Sequence, residues 1–270
     1  MKTAKGIGEK NRAILDALHR KAKGPFTVAE ATALLDMKRE KTRRLLAHFA
    51  GQGWLSRIRR NTYGLVPLGA SSPSEWREDP WIVAAKTFAP CYLGGWTACE
   101  YWSLTEQIFR DMVVITNRLV RHREQEIQGT RFRVIVRRRG AFFGLQTVWR
   151  GQTQVPVSDP TRTIIDLLDS PALGGGIRPV SEILAAYFDS SHRDDSLLFQ
   201  YATRLGNRAV FKRMGFLMER MSIDSPKLLR DCQTRISAGI SLLDPGAART
   251  GDILTRWGLR MNVNLESKTE

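Results

Sequence analysis

The sequence predicts an α+β protein: an amino-terminal winged helix-turn-helix followed by a mixed α+β body with a small sheet and a carboxy-terminal helical part. Three observations carry this reading. Positive charge is concentrated at one end of the chain. Within the first 66 residues the apolar period changes from helical to alternating. Beyond residue 80, β-branched runs give way to a long succession of amphipathic segments.

The chain has 270 residues, with 42 Lys and Arg against 27 Asp and Glu, a net charge of +15 and a pI near 10.3. Residues 1–66 hold fifteen of the basic residues and only five of the acidic ones. Solubility alone does not require such clustering. The clustering points to a polyanionic partner, with double-stranded DNA first. An apolar content of 42% and a charged content of 26% are ordinary for a globular chain and exclude a disordered identity. The length suggests about two domains. We expect a DNA-binding module at 1–66, a linker at 67–80 (PLGASSPSEWREDP) and a body at 81–270.

The first amphipathic segment is 9–23, where Ile14, Leu15 and Leu18 recur at helical spacing and Gly24-Pro25 stops the helix. Thr27 with Glu30 three residues on has the form of a capping box, which opens a short helix with Ala31, Leu34 and Leu35 facing inward. Asp36-Met37 makes the turn. The next segment, KREKTRRLLAHFAGQG, carries its buried stripe on Leu45, Leu46 and Phe49 and stops at Gly51 and Gly53. Apolar and polar residues then alternate through WLSRIRRNTYGLV, on both sides of Arg60-Asn61, as in a two-stranded hairpin.

This order places the candidate DNA-binding residues. With Leu45, Leu46 and Phe49 buried, Arg43, Arg44, Glu40 and Ala47 point away from the core, and Lys38, Arg39 and Lys41 fill the first turn. The first turn of a recognition helix meets base edges in the major groove, and the arginine fork can bond guanine at two atoms. Arg57, Arg59, Arg60 and Asn61 flank or form the wing tip, in reach of phosphates or the adjacent minor groove. Cations at a helix start oppose the helix dipole, a cost that a bound polyanion would offset. Glu40 on the same face counts against the reading.

In the body, 81–110 reads as helical around a short strand-like PCYLGG, and Trp76 and Trp81 are expected to pack onto the body. MVVITN (112–117), 132–137, 142–149 and 152–157 read as strands, the last two joined at Arg150-Gly151. Asp159 or Ser158 caps a helix that has Pro160 at its first position. Gly174-Gly175-Gly176 breaks the chain, helical segments follow from 178, and GDILTRWGLRMNVNLE ends in a short strand. Arg137-Arg138-Arg139 reads as charge at a strand end, with a second nucleic-acid contact as the alternative. Arg204, Arg208, Lys212 and Arg213 read as a basic stripe facing water, with an acidic partner or RNA as the alternatives. Arg162 and Asp166 have the spacing of a structural ion pair.

Enzyme signatures are missing. The sequence has no GxxxxGK[ST] loop, no GxSxG elbow and no HExxH. His19, His48, His122 and His192 are isolated. Asp36-Met-Lys38 and Glu266-Ser-Lys268 follow no suitable strand for a nuclease centre, and nothing in the spacing of Asp111, Asp159 and Asp166 demands that folding gather them. Cys91, Cys99 and Cys232 are widely spaced and form no CxxC, which excludes a zinc ribbon and makes a disulfide framework improbable. No catalytic residues, metal or cofactor are expected. No apolar run approaches the roughly 18 residues of a membrane span, and the basic start lacks the apolar core of a secretory signal. The expected location is the cytoplasm, away from membranes.

Several stretches resemble the AbiEi family, the antitoxins of type IV toxin–antitoxin systems. They are PVSDPTRTIIDLLDSP with Gly175-Gly176-Ile177, the segment Trp102-Ser103-Leu104-Thr105-Glu106-Gln107, YATRLGNRAVFKRMGFLMER, and the stretch with Trp257 and Arg260–Asn262. The resemblance implies a bacterial abortive-infection (phage-defence) antitoxin. Its winged helix would bind operator repeats in its own promoter and repress the operon. Its 81–270 domain would counteract a nucleotidyltransferase-like toxin, with direct contact left open. The toxin pattern GSxxxDxD is absent here. Two other readings remain: a plain winged-helix regulator whose carboxy-terminal domain senses a ligand or dimerises, and a nucleic-acid enzyme.

Overall fold

The computed structural model describes residues 8–265 apart from 68 and 71–74. Parts of the expected linker and the Glu266–Lys268 stretch therefore lie outside the described residues. The chain is mixed α+β, with a winged-helix start followed by an α+β body.

The first unit runs α1 (Glu9–Lys21), β1 (Phe26–Thr27), α2 (Val28–Leu35), α3 (Arg39–Gly51), β2 (Leu55–Arg59) and β3 (Thr62–Leu65). The capping box forms as its spacing predicts. The Glu30 amide donates to Thr27 Oγ1 at 3.2 Å, and the Thr27 amide donates to the Glu30 carboxylate at 2.7 Å. The strand β1 was not expected. It pairs antiparallel with β3 (Phe26 with Tyr63), giving a three-stranded sheet in the order β1-β3-β2. Leu18, Phe26, Ala31, Leu46, Phe49 and Leu55 share one core. On α3 the fully buried residues are Thr42, Leu46 and Phe49, and Leu45 is only half-buried.

The body holds a six-stranded sheet, larger than expected. Its strands are β4 (Cys91–Leu93), β5 (Asp111–Thr116), β6 (Glu124–Ile127), β7 (Thr130–Val136), β8 (Leu145–Arg150) and β9 (Thr153–Ser158), in the order β6-β7-β5-β4-β9-β8. The pairs β5–β7 and β4–β9 are parallel; the others are antiparallel. The continuous apolar run MVVIT is explained by burial of both faces. Met112 and Val114 face one core and Val113 and Ile115 the other. The helix α4 (Pro80–Phe88) covers the first face. The helical layer covers the second: α6 (Pro160–Asp169), α7 (Ile177–Asp189), α8 (Asp195–Leu205), α9 (Arg208–Arg220) and α10 (Pro226–Thr234), with α5 (Trp96–Tyr101) at its edge. Residues 102–110, expected to continue a helix, form a loop after α5.

Asp159 caps α6 by accepting from the Arg162 amide at 2.6 Å, with Pro160 in the first turn. Gly176, which precedes α7, has no side chain to cap with; Asp244, far along the chain, accepts from the Ile177 amide at 2.8 Å instead. A last small sheet, β10 (Ser241–Leu242), β11 (Ile253–Leu254) and β12 (Leu259–Arg260), sets Trp257 against α9.

The basic stripe is solvated at Arg204 and Arg208, as expected, but not at Lys212 and Arg213. Lys212 and Arg213 are 0% and 3% exposed. Lys212 donates to the Gly239 carbonyl, and Arg213 to the carbonyls of Leu168, Leu242 and Leu243. Arg208 donates to the Arg235 carbonyl at 3.1 Å. Helical spacing cannot separate solvent from main-chain acceptors supplied by distant segments on both sides of the helix. At Arg137, the strand-end reading gains a partner, the Asp169 carboxylate at 2.5 Å.

Candidate nucleic-acid interface

The face of α3 away from the core is the first part of the candidate interface. Lys38, Arg39, Lys41, Arg43 and Arg44 are all exposed. Burial of Thr42, Leu46 and Phe49 fixes the rotation of the helix, so these cations project outward. Glu40 stands between Arg43 (3.8 Å) and Arg44 (3.4 Å), with all three side chains mostly exposed. Such pairs are worth on the order of 0.5 kcal/mol. That is too little to withhold the arginines from a phosphate.

The start of α3 differs from the start of α2. The α2 terminus is closed by its capping box, whereas Lys38 at the α3 N-cap makes no side-chain capping bond. Among the described residues no side chain caps the first amides of α3, which lie beside Lys38, Arg39 and Lys41. Unsatisfied amides at a helix start favour anions.

The wing is the second part. Arg57, Arg59, Arg60 and Asn61 are exposed. Asn61 has a positive φ of 62°, which asparagine tolerates better than most residues. Its carbonyl accepts from the Val28 amide at 3.0 Å and so ties the wing turn to the start of α2. The nine predicted residues thus fall into two exposed groups, five on α3 and its N-cap and four on the wing.

The wing is also fastened to the body. The β2–β3 ladder shifts register between Arg57 and Arg59, leaving Ile58 as the extra residue of a bulge. Strand alternation puts Ile58 on the side of Ser56, where it packs in the body core with Val83, Phe88 and Val155, while Leu55 on the opposite side packs in the first core. Ser56 donates to the Trp76 carbonyl at 3.2 Å and accepts from Gln128 of the β6–β7 turn at 2.8 Å. Lys86 of α4 reaches Glu30 of α2 at 2.5 Å, and Thr153 donates to the Lys23 carbonyl at 3.0 Å. Trp81 packs on the body as expected, under Arg150 at 4.3 Å from its ring centre, whereas Trp76 lies against Gly64 of the wing. Sequence reasoning missed this docking, because only the three-residue step from Leu55 to Ile58 hints at it.

Elsewhere in the body several polar side chains are buried against one another. Arg162 and Asp166 form the ion pair expected from their spacing, at 2.9 Å and with both side chains buried. Tyr92 donates to Asp166 at 3.0 Å, and the Arg162 guanidinium lies 4.0 Å from the Phe143 ring centre. Burial works against the Arg162 charge, but the Asp166 carboxylate more than offsets it and holds the guanidinium above its ordinary range. Burial raises Asp159, and Tyr201, which donates to it at 3.0 Å, is pushed up to about 12 by burial and that bond. Asp111 stands at the start of β5 beside Arg131. All three cysteines are buried as free thiols, and burial pushes Cys91 and Cys232 up to about 12. The four histidines are exposed. Among the described residues no cluster of His, Cys, Asp and Glu could hold a metal ion, and no helix is long and apolar enough to cross a membrane.

The chain is similar over its length to a solved structure, the RV2827C protein from Mycobacterium tuberculosis, with a TM-score of 0.64 and 14% identity; the match covers 95% of this chain and 92% of that one. At that identity the likeness is one of fold. No curated protein matches. Residues 13–66 match the family described as "Transcriptional regulator, AbiEi antitoxin". The matched span runs from α1 through the wing; the body stretches that carried the resemblance lie outside it. Residues 13–66 are thus similar to the AbiEi antitoxin family of transcriptional regulators.

Proposed function

We propose that this protein is the DNA-binding antitoxin of a toxin–antitoxin pair. In this reading residues 1–66 bind operator repeats in its own promoter and repress the operon, 67–80 is the connecting linker, and 81–270 counteracts a nucleotidyltransferase-like toxin without catalysis of its own, in the cytoplasm. Lys38, Arg39, Lys41, Arg43 and Arg44 engage the major groove and nearby phosphates. Arg57, Arg59, Arg60 and Asn61 engage the flanking backbone. The observation that carries this is the solvent-facing set of cations on α3 and the wing, combined with an α3 start that lacks a side-chain cap.

The test is binding of the full chain to a duplex carrying the sequence upstream of its own gene, compared with the Arg43→Ala/Arg44→Ala/Arg59→Ala/Arg60→Ala variant. Loss of preference for that duplex is expected, with a shallower dependence of affinity on salt. Undiminished binding by the variant would remove α3 and the wing from the interface. For the antitoxin role, the chain is co-expressed with a neighbouring nucleotidyltransferase gene; failure to restore growth would leave only the regulator reading.

A further inference from the structure

We propose that the body contributes a second basic finger to the DNA interface, the loop at 117–123 between β5 and β6, next to the wing. The inference rests on the DNA-binding reading above and extends it beyond residues 1–66.

Arg59 of the wing lines a cleft of about 230 Å³ together with Arg118, Arg121 and His122 of this loop. No acidic side chain lines it. Among the described residues neither Arg59 nor Arg121 forms an ion pair. The nearest acids along the chain, Glu124 and Glu126, stand opposite Arg133 and Arg131 in the β6–β7 ladder. The cations are therefore not there to neutralise the protein's own charge. Gathering like charges at one mouth costs free energy that a polyanion recovers.

The loop is held in place rather than left to drift. Thr116 donates to the carbonyls of Phe88 and Pro90, both at 2.9 Å, and accepts from the Arg118 amide at 3.1 Å. Arg118 spends one guanidinium donor on the Ala89 carbonyl at 3.0 Å, which leaves a fork of further donors pointing outward. Val120 packs against the body core, and Gln125 donates to the His122 carbonyl at 2.9 Å. Between these anchors Leu119 is 95% exposed. An apolar tip flanked by arginines on a fixed loop suits the wall or floor of a minor groove, where proteins insert Leu or Phe beside phosphate-bound arginines. The wing is fastened to the same body by Ile58 and Ser56, so wing and loop present one surface to the duplex.

The experiment uses the full chain and the upstream duplex at several salt concentrations. Each phosphate contact contributes about 0.9 to the slope of log affinity against log salt. Arg118→Gln/Arg121→Gln is expected to flatten that slope by about 2, while Arg121→Lys keeps it. Leu119→Ala is expected to lower affinity with the slope unchanged. If the wild-type chain does not bind duplex DNA, the parent reading fails. If it binds and the α3–wing variant does not, but the loop variant keeps the wild-type slope, this inference alone is overturned. Stronger competition by single-stranded RNA than by duplex for the loop would overturn it as well.

Discussion

Ile58 offers a direct check on the docking of the wing. It is 6% exposed and packs in the body core, although it belongs to a wing strand. Ile58→Ala removes three carbons, at about 0.8 kcal/mol each for transfer. With the residual cavity, the cost is about 3 kcal/mol. For a chain of this size that lowers the melting temperature by roughly 6–12 °C. Ile58→Val should cost about 1 kcal/mol. Leu55→Ala is the control, since Leu55 is 2% exposed in the same strand but packs in the first core. The assay is amide hydrogen exchange alongside thermal unfolding. Ile58→Ala should accelerate exchange in α4 and β9 as well as in the wing; Leu55→Ala should act on α1 to α3. If Ile58→Ala loosened the wing and left α4 and β9 at wild-type protection, Ile58 would not be part of the body core and the docking of the wing would be wrong.

Two further outcomes follow from buried charge and inter-module contact. Burial raises Glu30, but the bonds from Lys86 and Thr27 outweigh it and leave the carboxyl below its ordinary value. The stabilisation is therefore complete above the unfolded carboxylate range near 4.3 and is lost as pH falls through the lowered folded value; Glu30→Gln should flatten this acid limb in a pH series of denaturant midpoints. Asp166→Ala leaves Arg162 buried without its carboxylate and should cost about 3–5 kcal/mol, whereas Arg162→Met with Asp166→Leu should cost less, about 1–3 kcal/mol, for the Tyr92 hydroxyl left without its acceptor. Denaturant titration separates the two, and equal losses would contradict the assignment of Asp166 as the compensating charge.

What was legible in the sequence was local. The Thr27–Glu30 box and the Asp159–Pro160 start need only neighbours three residues apart, and both form. The MVVIT run reads as a strand, although only the fold shows both its faces buried, and the stripe on α3 rotates its arginines outward. What was hidden depends on distant partners. The two-residue strand β1 exists because Phe26 finds Tyr63. Lys212 and Arg213 look like surface cations until the carbonyls of 239, 242 and 243 close over them. The 117–123 arginines carry no periodicity at all, and only the fold brings them beside Arg59. The site was read in part for the same reason: helix faces follow from spacing, whereas the meeting of two loops does not.

The docking of Ile58 also bears on how repeated sites along a promoter would be counted. A reader tethered by a slack connector can swing between sites at many separations. Here Ile58, Ser56 and the Lys86–Glu30 contact fix the reading head's heading relative to the rest of the molecule. Two copies that touched through their bodies would hold their heads at a set distance. Inserting a half-turn of DNA between repeats would then abolish joint occupancy, while lengthening the 67–80 connector would change it little.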